Sequence, residues 1–216
     1  MMKKICSFIL LFAGSTLFGS SMVNDIDKAT IMLREFKSIP EQSIPPEIID
    51  RSEGLAFINV IKAGFIFSGR IGSGIVVART NNGWSAPSAI GIAGAGWGLQ
   101  IGGQITDLIL VLNSRDAVSA FASGGSITLG GNVSVAAGPV GRSFEAGIGL
   151  PPALIYSYSR TKGLFAGVSL EGTVIVEKSG ENANFYGSPV SAREILSGSV
   201  ARPQVADSLY KELNTY

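Results

Sequence analysis

No histidine occurs anywhere in the 216 residues. That single absence removes His-based catalytic triads, histidine general bases and histidine metal sites. Cysteine occurs once, as Cys6. It lies inside an apolar N-terminal run, after Lys4 and Ile5 rather than after small residues, so it does not read as a lipoprotein cysteine. If that segment is removed, no disulfide, thiolate ligand or cysteine nucleophile can remain. Charge is scarce as well, at 15% of residues, with 17 basic against 16 acidic. Such a balance predicts no broad nucleic-acid footprint. The longest apolar run, Ile5 to Phe18, is shorter than the ~20 residues a spanning helix needs. No GxSxG elbow, P-loop ending, EF-hand spacing or 20–50-residue repeat is present, and no cofactor or metal is expected.

What the chain does have is apolar residues (46%) and glycine, 28 in all, with no Gly-X-Y period. Bulk disorder and collagen are therefore excluded. The length suits one domain with a targeting segment. Residues 1–21 carry Lys3 and Lys4, the apolar run, and small residues at Gly19 and Ser21. This pattern reads as a secretory signal peptide. It leads to the expectation of a protein secreted across the inner membrane and resident in the periplasm.

Residues 22–38 form an amphipathic helix, with Ile26, Thr30, Leu33 and Phe36 near helical spacing. Pro40, Pro45 and Pro46 end it, and Pro46 can open a short helix that Gly54 stops. From Leu55 to about Lys178 the texture becomes β-rich. LAFINVIKAGFIFSGR and GSGIVVARTNNGWSAPSAIGIAG read as strands, with Asn81-Asn82-Gly83 as a hairpin turn. ITDLILVL reads as a strand buried on both faces. SRDAVSAFASG interrupts as a short helix with Ser114 as N-cap. SITLGGNVSVA alternates with period 2, and RSFEAGIGL, ALIYSYSR and GLFAGVSLEGTVIVEK follow at hairpin spacing. Ser191 to Glu194 is a capping box, Gly198 a stop, and Pro203 opens a last helix with Val205, Leu209 and Leu213 on its apolar face. The expected fold class is α+β: a strongly curved antiparallel sheet or small barrel flanked by N- and C-terminal helices. An outer-membrane barrel is disfavoured, since the strands are short, a helix interrupts them and the last segment is helical.

Several strings occur in an order that resembles one family. They are SEGLAFINVIKAGF, GSGIVVAR, GWSAPSAI, GWGLQIGGQITDLILVL, AAGPVGR, YSYSRTKGLFAGVSLEG, NANFYG and REILSG. Together they resemble the SYLF domain, found in plant FYVE proteins, animal adaptors, yeast actin-patch proteins and exported bacterial proteins. The resemblance spans roughly Pro45 to Leu213. The expected organisation is a signal peptide at 1–21, an amphipathic helix and linker at 22–44, and a SYLF-like domain at 45–216.

The resemblance implies a non-enzymatic, peripheral function on acidic phospholipid of the phosphoinositide-binding kind. Yeast members also engage actin, which a periplasmic protein would not meet, so actin is not expected. The candidate lipid-contacting residues are Lys28, Arg34 and Lys37 on the first helix and Arg70, Arg79, Arg160 and Lys162 in the sheet region. The pair Arg160 and Lys162, in one turn, is preferred. Acids on the first helix (Asp25, Asp27 and Glu35) weigh against a dedicated anionic-lipid helix. Asp107, set within an apolar run, is expected to be hydrogen-bonded. Trp84, Trp97, Phe185 and Tyr186 are either interfacial anchors or packing residues. The rival readings are a periplasmic scaffold for a protein partner, and a lipid-transfer protein or hydrolase with an apolar cavity.

Overall fold

A computed structural model describes residues 22–39, 43–65, 67–97, 102–139, 153–162 and 173–216. The side chains of residues 63–65, 67, 68, 95–97, 102, 103, 161 and 162 lie outside this description. The first helix, α1, spans Met22–Lys37 and buries Met22, Ile26, Ala29, Leu33 and Phe36 along one stripe. The short α2, Pro46–Arg51, opens on a proline at its first turn, where the missing N–H costs no hydrogen bond.

Five strands follow: β1 (Gly54–Phe65), β2 (Phe67–Thr80), β3 (Gly83–Trp84), β4 (Ser88–Trp97) and β5 (Gly102–Leu112). The single strand expected over residues 55–70 is a hairpin instead, with Phe65 opposite Phe67. Gly64 stands beside that reversal, but no Asn-Gly or Asp-Gly pair signals it, so a pattern reading runs through it. The Asn81-Asn82-Gly83 turn is present, and Gly83 has φ +98°, which glycine adopts without strain. Helix α3, Arg115–Ala122, is capped by the Ser114 side chain, which accepts from the Ala117 N–H.

Next come β6 (Ile127–Leu129), β7 (Val135–Ala137), β8 (Ile155–Lys162) and β9 (Thr173–Glu177). The alternating run over SITLGGNVSVA breaks at Gly130, whose φ is +77°. The segment RSFEAGIGL and most of GLFAGVSLEG lie outside the described residues. The chain closes with α4 (Ser179–Tyr186), α5 (Ala192–Leu196), a 3-10 turn at Gln204–Ala206 and α6 (Asp207–Asn214). The Ser191–Glu194 capping box and the Gly198 stop are both formed. Val205 falls in the 3-10 turn and is exposed, while Leu209, Tyr210 and Leu213 turn inward. The tighter turn shifts the phase of the apolar stripe.

The sheet runs β6-β9-β4-β2-β1-β5-β8-β7, with β3 beside β2. Its pairs are antiparallel except β7 with β8. The edge strands β6 and β7 are joined by residues 130–134, and a bridge between Leu129 and Val133 nearly closes the sheet on itself. Tight coiling leaves no room for a side chain at Gly74, where a Cβ would stand 1.9 Å from the Phe57 carbonyl oxygen. The fold is therefore α+β, with a curved, nearly closed sheet and helices at both ends of the chain.

Strands β1, β2, β4, β5 and β8 each contribute to two cores, because successive side chains point to opposite faces. On one face Leu55, Phe57, Ile75, Val77, Ile109 and Val111 pack under α1, α2 and α6. On the other, Ala56, Ile58, Val76, Leu108 and Leu110 pack with α3 and α5. A lipid-facing barrel wall has no such helical cover. Among the described residues no helix is long and apolar enough to cross a membrane.

Candidate functional site

The first face changes character along the strands. Beyond its apolar core runs a polar row, Ser73 on β2, Asn59 on β1, Asp107 on β5 and Arg160 on β8, each opposite the next. Asn59 Nδ2 donates to Asp107 Oδ1 at 2.7 Å, so the buried carboxylate is hydrogen-bonded, as its apolar setting demands. Helix α1 ties to both ends of the row. Ser73 Oγ donates to Asp25 Oδ1 at 3.0 Å, and Arg160 Nη1 lies 3.5 Å from Glu35 Oε2 and donates to the Glu35 carbonyl. Ten helical residues rise ~15 Å. Three strand spacings total ~14 Å. The match fixes α1 across the strands, and Asp25 and Glu35 serve the sheet, while Asp27 faces solvent.

One register further out lies a second row. Ala93, Ile71, Ile61 and Ile105 sit side by side on β4, β2, β1 and β5, with Lys162 next on β8. Ile71, Ile61 and Ile105 are exposed by 45, 43 and 47%. Among the described residues no helix covers them. Where α1 ends its cover, a groove of about 500 Å³ opens over Ile61, Ile71, Ala93 and Val176. Its two charged lining residues are Lys28 and Lys178. The Lys178 stem lies over Gly91, and its ammonium pairs with Glu181. Lys28 has no hydrogen bond or ion pair among the described residues. Sequence reading missed Lys178 and the isoleucine row. The signal was there as an isoleucine in each of three strands, but only the register aligns them.

The seven basic candidates do not converge on one patch. Lys28 lines the groove. Arg34 Nε pairs with Glu212 at 2.8 Å, and Lys37 donates to the Thr215 carbonyl beside the Tyr216 ring. These two, with Arg160, gather where α1 meets α6. Arg70 is buried on the second face and donates to Thr173 Oγ1. Arg79 stacks 4.1 Å over Trp84 and reaches the Ile49 carbonyl. Lys162 is placed on β8 by its backbone, and its side chain lies outside the described residues.

The aromatic candidates pack inward. Trp84 is 2% exposed. Tyr186 donates to the Pro87 carbonyl at 2.6 Å and meets Phe185 edge-on. Burial drives the Tyr186 hydroxyl well above its usual range. The same cause lifts Tyr210 to about 12, so it stays protonated and donates to the Ser85 carbonyl. The Trp97 side chain lies outside the described residues. A further polar anchor escaped sequence reading: buried Asn182 on α4 accepts from the Ala89 N–H and donates to Ser88 and Glu177.

Comparison with known proteins gives this architecture a context. Residues 93–216 match the model of the Ysc84 family, described as Las17-binding protein actin regulator. The SH3 domain-containing protein PJ696.02 of Schizosaccharomyces pombe is 50% identical over 206 residues, 91% of this chain and 48% of its own length. LAS seventeen-binding protein 3 of Saccharomyces cerevisiae is 51% identical over 179 residues, 81% of this chain and 39% of its own. The human SH3 domain-containing YSC84-like protein 1 is 47% identical over 204 residues, 91% of this chain and 60% of its own. This chain thus spans 39–60% of the length of these relatives. None of their names is that of an enzyme.

These relatives overturn the expected periplasmic location. They belong to yeasts and to a mammal, and a family of actin regulators points to an intracellular setting. Residues 1–21, on which secretion was read, lie outside the described residues. With the periplasm goes the ground for excluding actin as a partner. Matched by its family model from β4 to the C-terminus, and near half identity to relatives over most of its length, the chain belongs to the Ysc84 family of SYLF-domain proteins.

Proposed function

We propose that this chain is a non-enzymatic binding domain that sits peripherally on acidic phospholipid. The observation that carries the reading is the exposed row Ile71, Ile61 and Ile105 beside Lys28. Apolar side chains that enter the acyl boundary, next to a cation that meets lipid phosphate, are the two parts of peripheral attachment. Arg34 and Lys37, exposed on the same helix, supply further charge. Arg70 and Arg79 are held inward and take no part. The acting unit is the 45–216 domain with the 22–44 helix and linker folded against it.

Flotation of the full chain with vesicles tests this. Binding is expected to phosphatidylglycerol-containing vesicles at low salt. It should weaken at high salt, where charge is screened within ~3 Å at 1 M. Ile61→Asp with Ile71→Asp should abolish it. Equal flotation of that double variant, or none by the native chain, would refute the reading.

A protein partner is the second reading, favoured by the family's description as a Las17-binding actin regulator. Co-sedimentation with actin filaments, in the absence of lipid, separates it from the first.

A further inference from the structure

The groove over the second row has a chemistry of its own. Its volume, about 500 Å³, lies within the ~300–1,000 Å³ typical of small-molecule sites. Its floor is apolar and linear. Ala93, Ile71 and Ile61 follow one another across three strands of the groove, and Ile105 extends the row by one strand beyond the groove lining, a track of ~14 Å at ordinary strand spacing. On the α1 side the track is bounded by the polar row of Ser73, Asn59 and Asp107. Its charged lining residues are both lysines, with no acid among the lining residues.

These features discriminate among occupants. An extended peptide gains nothing from the floor, since backbone groups there are engaged in the sheet ladder. A neutral lipid would desolvate the Lys28 ammonium without compensation. A cationic amphiphile would be repelled by it. A two-chain lipid would need a second apolar row on the α1 side, where Ser73 and Asn59 stand instead. What remains is a single apolar chain with one anionic head.

We propose that the groove binds one long-chain fatty-acid anion, its tail along Ala93, Ile71 and Ile61 toward the exposed Ile105 beyond the groove, and its carboxylate at Lys28 and Lys178. Lys28 meets it as a cation with no other partner among the described residues. Lys178 brings an apolar stem over Gly91 and a charge it shares with Glu181. The site uses the same face as the membrane reading but does not depend on a bilayer.

Calorimetric titration of the full chain with sodium laurate, below its micelle concentration and without vesicles, tests the assignment. Dodecyltrimethylammonium and dodecyl maltoside serve as head-group controls. Laurate should saturate at one per chain and bind at least tenfold tighter than either control. Ile71→Asp and Lys28→Glu, both at the groove surface, should each weaken it tenfold or more without moving the thermal melt. Laurate bound no tighter than the controls, not saturably, or equally by both variants would overturn the assignment. Because native-chain selectivity is read directly, a variant that misfolds does not spare it. Flotation without laurate is scored separately. A chain that floats but ignores laurate loses this inference alone, and one that binds laurate but does not float loses the membrane reading alone.

Discussion

The two halves of the same strands differ sharply. From Gly54 to Val60, β1 is buried on both faces, by helices on one side and by α3 and α5 on the other. At Ile61 the next side chain on the first face meets solvent, as do Ile71 and Ile105 beside it. The backbone pairing continues unchanged through both halves. Hydrogen bonding therefore does not separate them; cover does. The polar row of Ser73, Asn59, Asp107 and Arg160 marks the border, and α1 stops there. One half holds the fold together, and the other leaves an apolar surface available for binding.

The largest expected effect lies in the buried half. Phe57→Ala should cost about 3–5 kcal/mol in urea unfolding, from lost burial and the cavity left behind. Ile61→Ala, four residues along the same face, should cost less than about 1 kcal/mol. Equal losses would erase the contrast. At the border, Asn59→Ala removes a donor from the Asp107 carboxylate and should cost about 1.5–3 kcal/mol.

The buried half should also respond to alkali. Burial pushes the hydroxyls of Tyr210 and Tyr216 to about 12, and that of Tyr158 higher still. An unfolded chain ionises them near pH ~10. Their contribution is thus whole below pH ~10 and is lost as pH rises toward 12. Urea midpoints at pH 8, 10 and 11 should fall in that order, with the drop setting in above pH 10. Away from the border, Ser191→Ala should cost about 1 kcal/mol through the lost cap, a local effect to set beside the others. Smallest is Glu212→Gln, which breaks the ion pair to a largely exposed Arg34 and should cost less than about 1 kcal/mol.

Much of the buried half was legible in the sequence. Ile26, Leu33 and Phe36 announce α1 by spacing, Ser114 and Ser191 announce caps, and ITDLILVL announces burial on both faces, which holds from Thr106 to Leu112 but not at Ile105. These signals are local. The exposed half was not legible, because it depends on register. Ile61, Ile71 and Ile105 lie ten or more residues apart, and nothing near any of them names the others as neighbours. Charge misled for a related reason. Arg70, Arg79 and Arg160 look like surface cations in one dimension, yet each finds an internal acceptor from a distant segment. The hairpin at Phe65 and Phe67 lacks a paired turn signal such as Asn-Gly, and the buried Asn182 gives no sign of its three partners.

The meeting of α1 with α6 has a consequence for how the protein is made. Arg34 and Glu212 are 178 positions apart, and the apolar stripe of α1 shares its core with Leu209 and Leu213. At about 5–20 residues per second of synthesis, the first helix emerges roughly 9–36 s before its last partner exists. Until then Ile26, Leu33 and Phe36 have nothing from the C-terminal end to pack against. Folding of this domain is completed only after α6 has been synthesised, and the waiting helix is the segment a chaperone would be expected to hold.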